Sequence, residues 1–76
     1  MTRARSNGTL RKRLSVLLYE KVILSPIPQY ELAQRIKLNP SVLNRAIHGA
    51  EVNTTDPRWR LLAKLVGVES TKVFEL

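Results

Sequence analysis

The chain contains no cysteine. That excludes a disulfide framework and any thiolate-bound metal, and it fits a reducing compartment. Long apolar runs are missing as well. Runs such as Val16-Leu17-Leu18, which stops at Tyr19-Glu20-Lys21, are three residues long, far short of the roughly 20 residues a membrane span needs. No apolar run with a small-residue cleavage site follows the basic N-terminus, so a secretory leader is not expected. The three glycines are isolated, which leaves no glycine loop to cradle a phosphate. His48 is the only histidine, and no cluster of His, Asp and Glu stands at ligand spacing, so no metal site is expected. The six carboxylates are scattered and form no obvious acid/base pair. Neither catalysis, nor a cofactor, nor a small-molecule ligand is expected.

Acidic residues are also missing from the front of the chain. Residues 1–13 carry Arg3, Arg5, Arg11, Lys12 and Arg13 and no acid. The net charge is +2 over residues 14–49 and zero over residues 50–76, within a total of +7. A polyanionic partner fits this excess, and nucleic acid is the commonest one. A solvated basic tail is the alternative. At 76 residues the chain is one domain with one modest core.

Met1 to Gly8 (MTRARSNG) is polar, basic and without apolar period, and reads as a flexible arm. Residues 9–76 read as the domain proper. Thr9 is placed to cap a first helix carrying Leu10, Leu14, Leu17, Leu18 and Val22 on one face. Ser25-Pro26-Ile27-Pro28 ends it. A short second helix over about Gln29–Ile36 has Leu32, Ala33 and Ile36 as its apolar face. After Lys37-Leu38, Asn39-Pro40 supplies a cap and a first-turn proline for a third helix reaching about His48, with Gly49 closing it. Ala50–Thr55 reads as a polar loop. Asp56-Pro57 repeats the start signal for a fourth helix with Leu61, Leu62, Leu65 and Val66, ending near Gly67. Ser70 caps a last short turn with Val73 and Phe74. No strand is expected. The fold class expected is all-α, with four to five short helices.

The second helix is too short to be stable alone in water and must pack on a neighbour. Ala33 lets a helix cross closely, Leu38 is an apolar plug in the turn, and Leu43 follows on a capped helix. Together these make a helix-turn-helix pattern over about Gln29–Gly49.

The stretch QYELAQRIKLNPSVLNRAIHG resembles the helix-turn-helix of the Cro and lambda-repressor-type family of phage and bacterial regulators. Gln29, the Leu32-Ala33 pair, Ile36, Leu38, Asn39, Leu43, Arg45 and Gly49 fall at the family's positions. LLAKLVGVESTKVFEL is similar to the family's fourth helix, Leu-Gly-Val segment and closing short helix. The resemblance spans about residues 10–76. Departures are Lys37 where the family usually has glycine, Ala46 where it has a large aliphatic, Ile47 where it tends to have Glu, and Pro40 where it often has a polar base-reading residue.

What the resemblance implies is a compact lambda-repressor-like domain binding double-stranded DNA in a sequence-specific way, as a cytoplasmic, nucleoid-associated regulator and more specifically a repressor. The third helix would enter the major groove, with Ser41, Val42, Asn44 and Arg45 reaching base edges. Gln29, Asn39, His48, Asn53, Thr54, Arg58 and Arg60 would contact the backbone. Arg3 and Arg5 would lie in the adjacent minor groove. Two copies would bind a pseudo-palindromic operator as a homodimer, with Val73, Phe74 and Leu76 as either the dimer seam or the last layer of the core. Trp59 reads as a core anchor ahead of a dimer contact, and Val42 as either core or groove contact. A protein-interaction module for RNA polymerase or another regulator is the alternative. A third possibility is a non-specific or RNA-binding protein that works mainly through the arm. Deleting residues 1–8 separates the last case: duplex affinity measured by titration is expected to fall, not vanish, and complete loss would favour an arm-only binder.

Overall fold

Prolines and the caps in front of them set the boundaries of this fold. The computed structural model describes residues 10–75; Arg3, Arg5, Thr9 and Leu76 lie outside that range. Helix α1 is Val16–Leu24, α2 is Gln29–Arg35, α3 is Pro40–Ile47 and α4 is Pro57–Val66, followed by a 3-10 turn at Ser70–Lys72. Pro40 and Pro57 occupy first-turn positions, where the missing N–H has no intrahelical partner to lose. Asn39 and Asp56 cap those helices by accepting from the Ser41 and Arg58 amides. Helix α1 packs on α4, and α2 on α3.

The first helix begins six residues later than the Leu10 periodicity predicts. Residues 10–15 are extended instead. Strand β1 (Arg11–Lys12) pairs antiparallel with β2 (Val52–Asn53), with Arg11 opposite Asn53 and Lys12 opposite Val52. Leu14 forms an isolated antiparallel bridge with Phe74. The Thr54 amide donates to the Leu10 carbonyl (2.7 Å), Ser15 to Val73 (2.9 Å) and Glu75 to Arg13 (2.9 Å). These distant partners satisfy backbone groups that a helix would otherwise pair locally. Ser15, not Thr9, is the cap: its Oγ accepts from the Leu18 amide at 3.1 Å and donates to the Lys72 carbonyl at 2.6 Å. The domain is therefore mostly helical with a short two-stranded sheet, not purely α.

The core gathers Leu14, Leu18, Val22, Leu32, Ala33, Ile36, Leu38, Leu43, Ala46, Ile47, Trp59, Leu62 and Val73, among others. Ala46 and Ile47 are both buried, so the small residue at 46 is accompanied by a large one beside it. Trp59 is a core anchor. Val73 is buried and Phe74 half-buried against the core, so this part of the tail is the last layer of the monomer. On α4 the inner face is Trp59, Leu62 and Ala63, whereas Leu61 and Leu65 are exposed. Leu10 and Leu17 are exposed as well. The leucine pattern is wider than the face a domain of this size covers.

Three helices close in the same way. The Leu38 amide donates to Ala33 (2.8 Å) and Lys37 to Gln34 (3.1 Å). Ala50 donates to Arg45 and Gly49 to Ala46; Val68 donates to Ala63 and Gly67 to Lys64. This double closure requires a left-handed residue. Gly49 and Gly67 supply it twice, at φ 110° and 84°. The third time it is Lys37, at φ 59°. A side chain in that region costs roughly 1–2 kcal/mol, which the burial of Leu38 helps to offset. Lys37→Gly is expected to raise stability by about 1 kcal/mol and the melting temperature by roughly 5 °C. Lys37→Val should lower both, since a β-branched residue tolerates positive φ worst. Thermal melts followed by circular dichroism check the pair.

Candidate nucleic-acid interface

Helix α3 turns Leu43, Ala46 and Ile47 inward. The opposite face carries Ser41, Asn44, Arg45 and His48 at i, i+3, i+4 and i+7, all exposed. The helix contains no acid, and Arg45 is its one charge. Among the described residues, Asn44 and Arg45 make no side-chain hydrogen bond and no ion pair. Val42 sits at the edge of this face, half-buried against the core. It therefore offers only part of a side chain outward, and Pro40, exposed at the helix start, offers an apolar ring without an N–H.

Asn39 is first a cap. Its Oδ1 accepts from the Ser41 amide (2.9 Å) and from the Ser41 hydroxyl (2.8 Å). The Ser41 oxygen keeps acceptor capacity, while its proton is held. His48 follows α3 with its Nδ1 2.7 Å from the Asn44 carbonyl. Its ring meets Tyr19 edge-on at 6.3 Å between centroids. Arg13, Tyr19, His48 and the acidic Glu75 line one shallow hollow at this end of α3. Tyr19 and Arg13 are not legible as neighbours of α3 in the sequence: the packing of α1 places Tyr19 there, and the extended segment before α1 places Arg13.

The other sequence-predicted contacts divide into separate places. Gln29 opens α2 and is half-buried; Pro28 before it provides no side-chain cap. Arg58 is committed to the fold: it holds both Asp56 oxygens, the nearest at 2.6 Å, and donates to the Lys37 carbonyl at 3.2 Å. That last bond ties the start of α4 to the α2–α3 turn. Asn53 closes its own turn, accepting from the Thr55 amide and hydroxyl. Arg60 donates to the Thr54 carbonyl at 3.1 Å and lies 5.5 Å from the centroid of the Phe74 ring. Asn53, Thr54 and Arg60 thus form a cluster beside the sheet, built by local bonds, rather than part of the α3 face.

Among the described residues, no three His, Asp or Glu side chains gather as a metal would need, and no helix is long and apolar enough to cross a membrane. Comparison of the chain with protein-family models, curated proteins and solved structures finds no match.

Two ion pairs flank the turn among the described residues: Glu31–Arg35 on α2 at 2.8 Å and Asp56–Arg58 at the start of α4. The Asp56 carboxyl is held below its ordinary value, chiefly by the side-chain hydrogen bonds from Arg58; burial opposes this, and the Arg58 amide and charge add to it. A carboxyl depressed in the folded state stabilises the fold above its unfolded value near pH 4. That contribution disappears as pH falls through the lower, folded value. Asp56→Asn keeps a cap oxygen but drops the charge, so the acid limb of stability below about pH 4 should flatten. Asp56→Ala should lose about 1 kcal/mol at neutral pH. Melting temperatures across a pH series measure both.

Proposed function

We propose that this chain is a sequence-specific double-stranded DNA-binding domain of the lambda-repressor-like kind, acting as a transcriptional regulator and more specifically a repressor. The observation that carries the proposal is the α2–turn–α3 unit. Its two short helices are locked by the Leu38–Ala33 bond, and its second helix presents an acid-free outward face of Ser41, Asn44, Arg45 and His48.

Helix α3 would lie in the major groove with its N-terminal end leading. Arg45 matches the paired acceptors of guanine, and Asn44 the donor–acceptor pair of adenine. Ser41 would accept through its remaining lone pairs. Val42 and Pro40 would pack on thymine methyls from the edge of the helix. His48 and Arg13, at the far end of α3, are within the same reach and would meet phosphate, as would Gln29 at the start of α2. The arm with Arg3 and Arg5 would add affinity from the minor groove. Two copies would occupy half-sites about 34 Å apart.

Selection from random duplex DNA is expected to enrich a pseudo-palindrome. Arg45→Ala and Asn44→Ala should each weaken binding to that site by about 1–3 kcal/mol while changing non-specific binding far less. Each lost phosphate contact should lower the slope of log K against log salt by about 0.9. Equal losses on specific and non-specific DNA would remove the base-reading role of α3. Absence of any enriched site would favour the protein-interaction module.

A further inference from the structure

Helix α4 sorts the charges on its outer side. Pro57, Arg60, Leu61 and Lys64 fall at i, i+3, i+4 and i+7, so they share the side turned away from Trp59 and Leu62. All four are exposed, Leu61 by 48%. With Val68 and Ser70 they wall a hollow of about 490 Å³. One turn beyond Leu61, Leu65 is 39% exposed and lines a second hollow with Lys21, Leu24 and Ile27. Among the described residues no acid lines either hollow, although residues 50–76 carry as many acids as bases. Asp56 is held by Arg58, and Glu69 accepts from the Thr71 hydroxyl at 3.5 Å. Glu75 lines a neighbouring hollow that shares Arg60. The Lys64 ammonium makes no hydrogen bond and no ion pair among the described residues.

We propose that these two hollows dock an acidic segment of a different protein. Its apolar side chains sit beside Leu61 and Leu65, and its carboxylates reach Lys64, Arg60 and Lys21. Charge complementarity chooses this occupant. The cations rim apolar walls that hold no acid of their own, so the matching ligand carries hydrocarbon and negative charge together. A second copy of the chain does not match, because its own net charge of +7 adds to the cations already there. A nucleic-acid backbone matches the cations but offers Leu61 and Leu65 no apolar surface to bury against. A flat lipid surface does not fill hollows. Leu61 and Leu65 are about 6 Å apart along α4. Apolar residues at i and i+4 of a helical partner, or at i and i+2 of an extended one, span the same distance. The contact is smaller than a standard interface, so micromolar affinity is expected. None of the lining residues belongs to α2 or α3, and the docking stands without DNA.

Selection from a displayed library of short random peptides against the full chain tests the docking. The expected winners carry several carboxylates and an apolar pair at one of those spacings. A synthetic winner, titrated by fluorescence anisotropy, should bind Leu61→Ser about tenfold more weakly. Lys64→Glu should weaken it about tenfold as well. Both chains should keep an unchanged helical circular dichroism spectrum. Exchanging one glutamate of the winner for lysine should restore binding to Lys64→Glu, as reciprocal charges across one contact require. Winners without acid overturn the proposal. So does a winner that binds Leu61→Ser and Lys64→Glu as tightly as it binds the unaltered chain. An empty selection overturns it too, and Leu61-dependent binding to phosphatidylserine vesicles would then give the face to a lipid surface. Leu61→Ser should leave duplex DNA affinity as it was, so failure here and failure of α3 are told apart.

Discussion

The hydrogen bond from the Leu38 amide to the Ala33 carbonyl, 2.8 Å long, governs how α3 leaves α2. It closes α2 after only seven residues and drops the Leu38 side chain into the core. Asn39 then stands where its side chain caps α3. The geometry demands a left-handed residue at position 37, and lysine fills it. Arg58 reinforces the same turn from outside by bonding the Lys37 carbonyl, while Asp56 holds Arg58 and caps α4. One strained turn thereby orients two helices. The face of α3 owes its direction to backbone bonds made elsewhere.

A second constraint acts across the length of the chain. Residues 10–15 run extended between β2 on one side and residues 73–75 on the other. Ser15 concentrates the connection: its amide reaches Val73, its hydroxyl reaches Lys72, and the same hydroxyl oxygen caps α1. The start of α1 and the end of the described chain are therefore one cooperative unit. A domain this small buries a limited apolar surface, so long-range backbone pairing of this kind contributes to its unity.

The surface divides by chemistry as well. Helix α3 turns outward a polar face with one arginine and no acid, while α1 turns outward mainly leucine, valine and isoleucine, with Tyr19 and the charges Glu20 and Lys21. Tyr19 and His48 meet where the two helices come together.

Much of the helical plan was legible because it is local. Asn39-Pro40 and Asp56-Pro57 mark helix starts, Gly49 and Gly67 mark ends, and Ser25-Pro26-Ile27-Pro28 marks a break. Each acts through backbone groups within a few residues. The outward set Ser41, Asn44 and Arg45 follows from helical period once α3 is placed. The strand at Arg11–Lys12 was not legible. Its partners stand some forty residues away, and the Leu10 and Leu14 spacing imitates a helix. Nor could periodicity decide which leucines are inside: Leu62 is buried and Leu61 exposed because α1 covers only one line of α4. The committed state of Arg58, the ring contact at His48 and the acid-free hollows along α4 belong to the tertiary structure alone. They depend on which surfaces meet, whereas caps and turns depend only on neighbours along the chain.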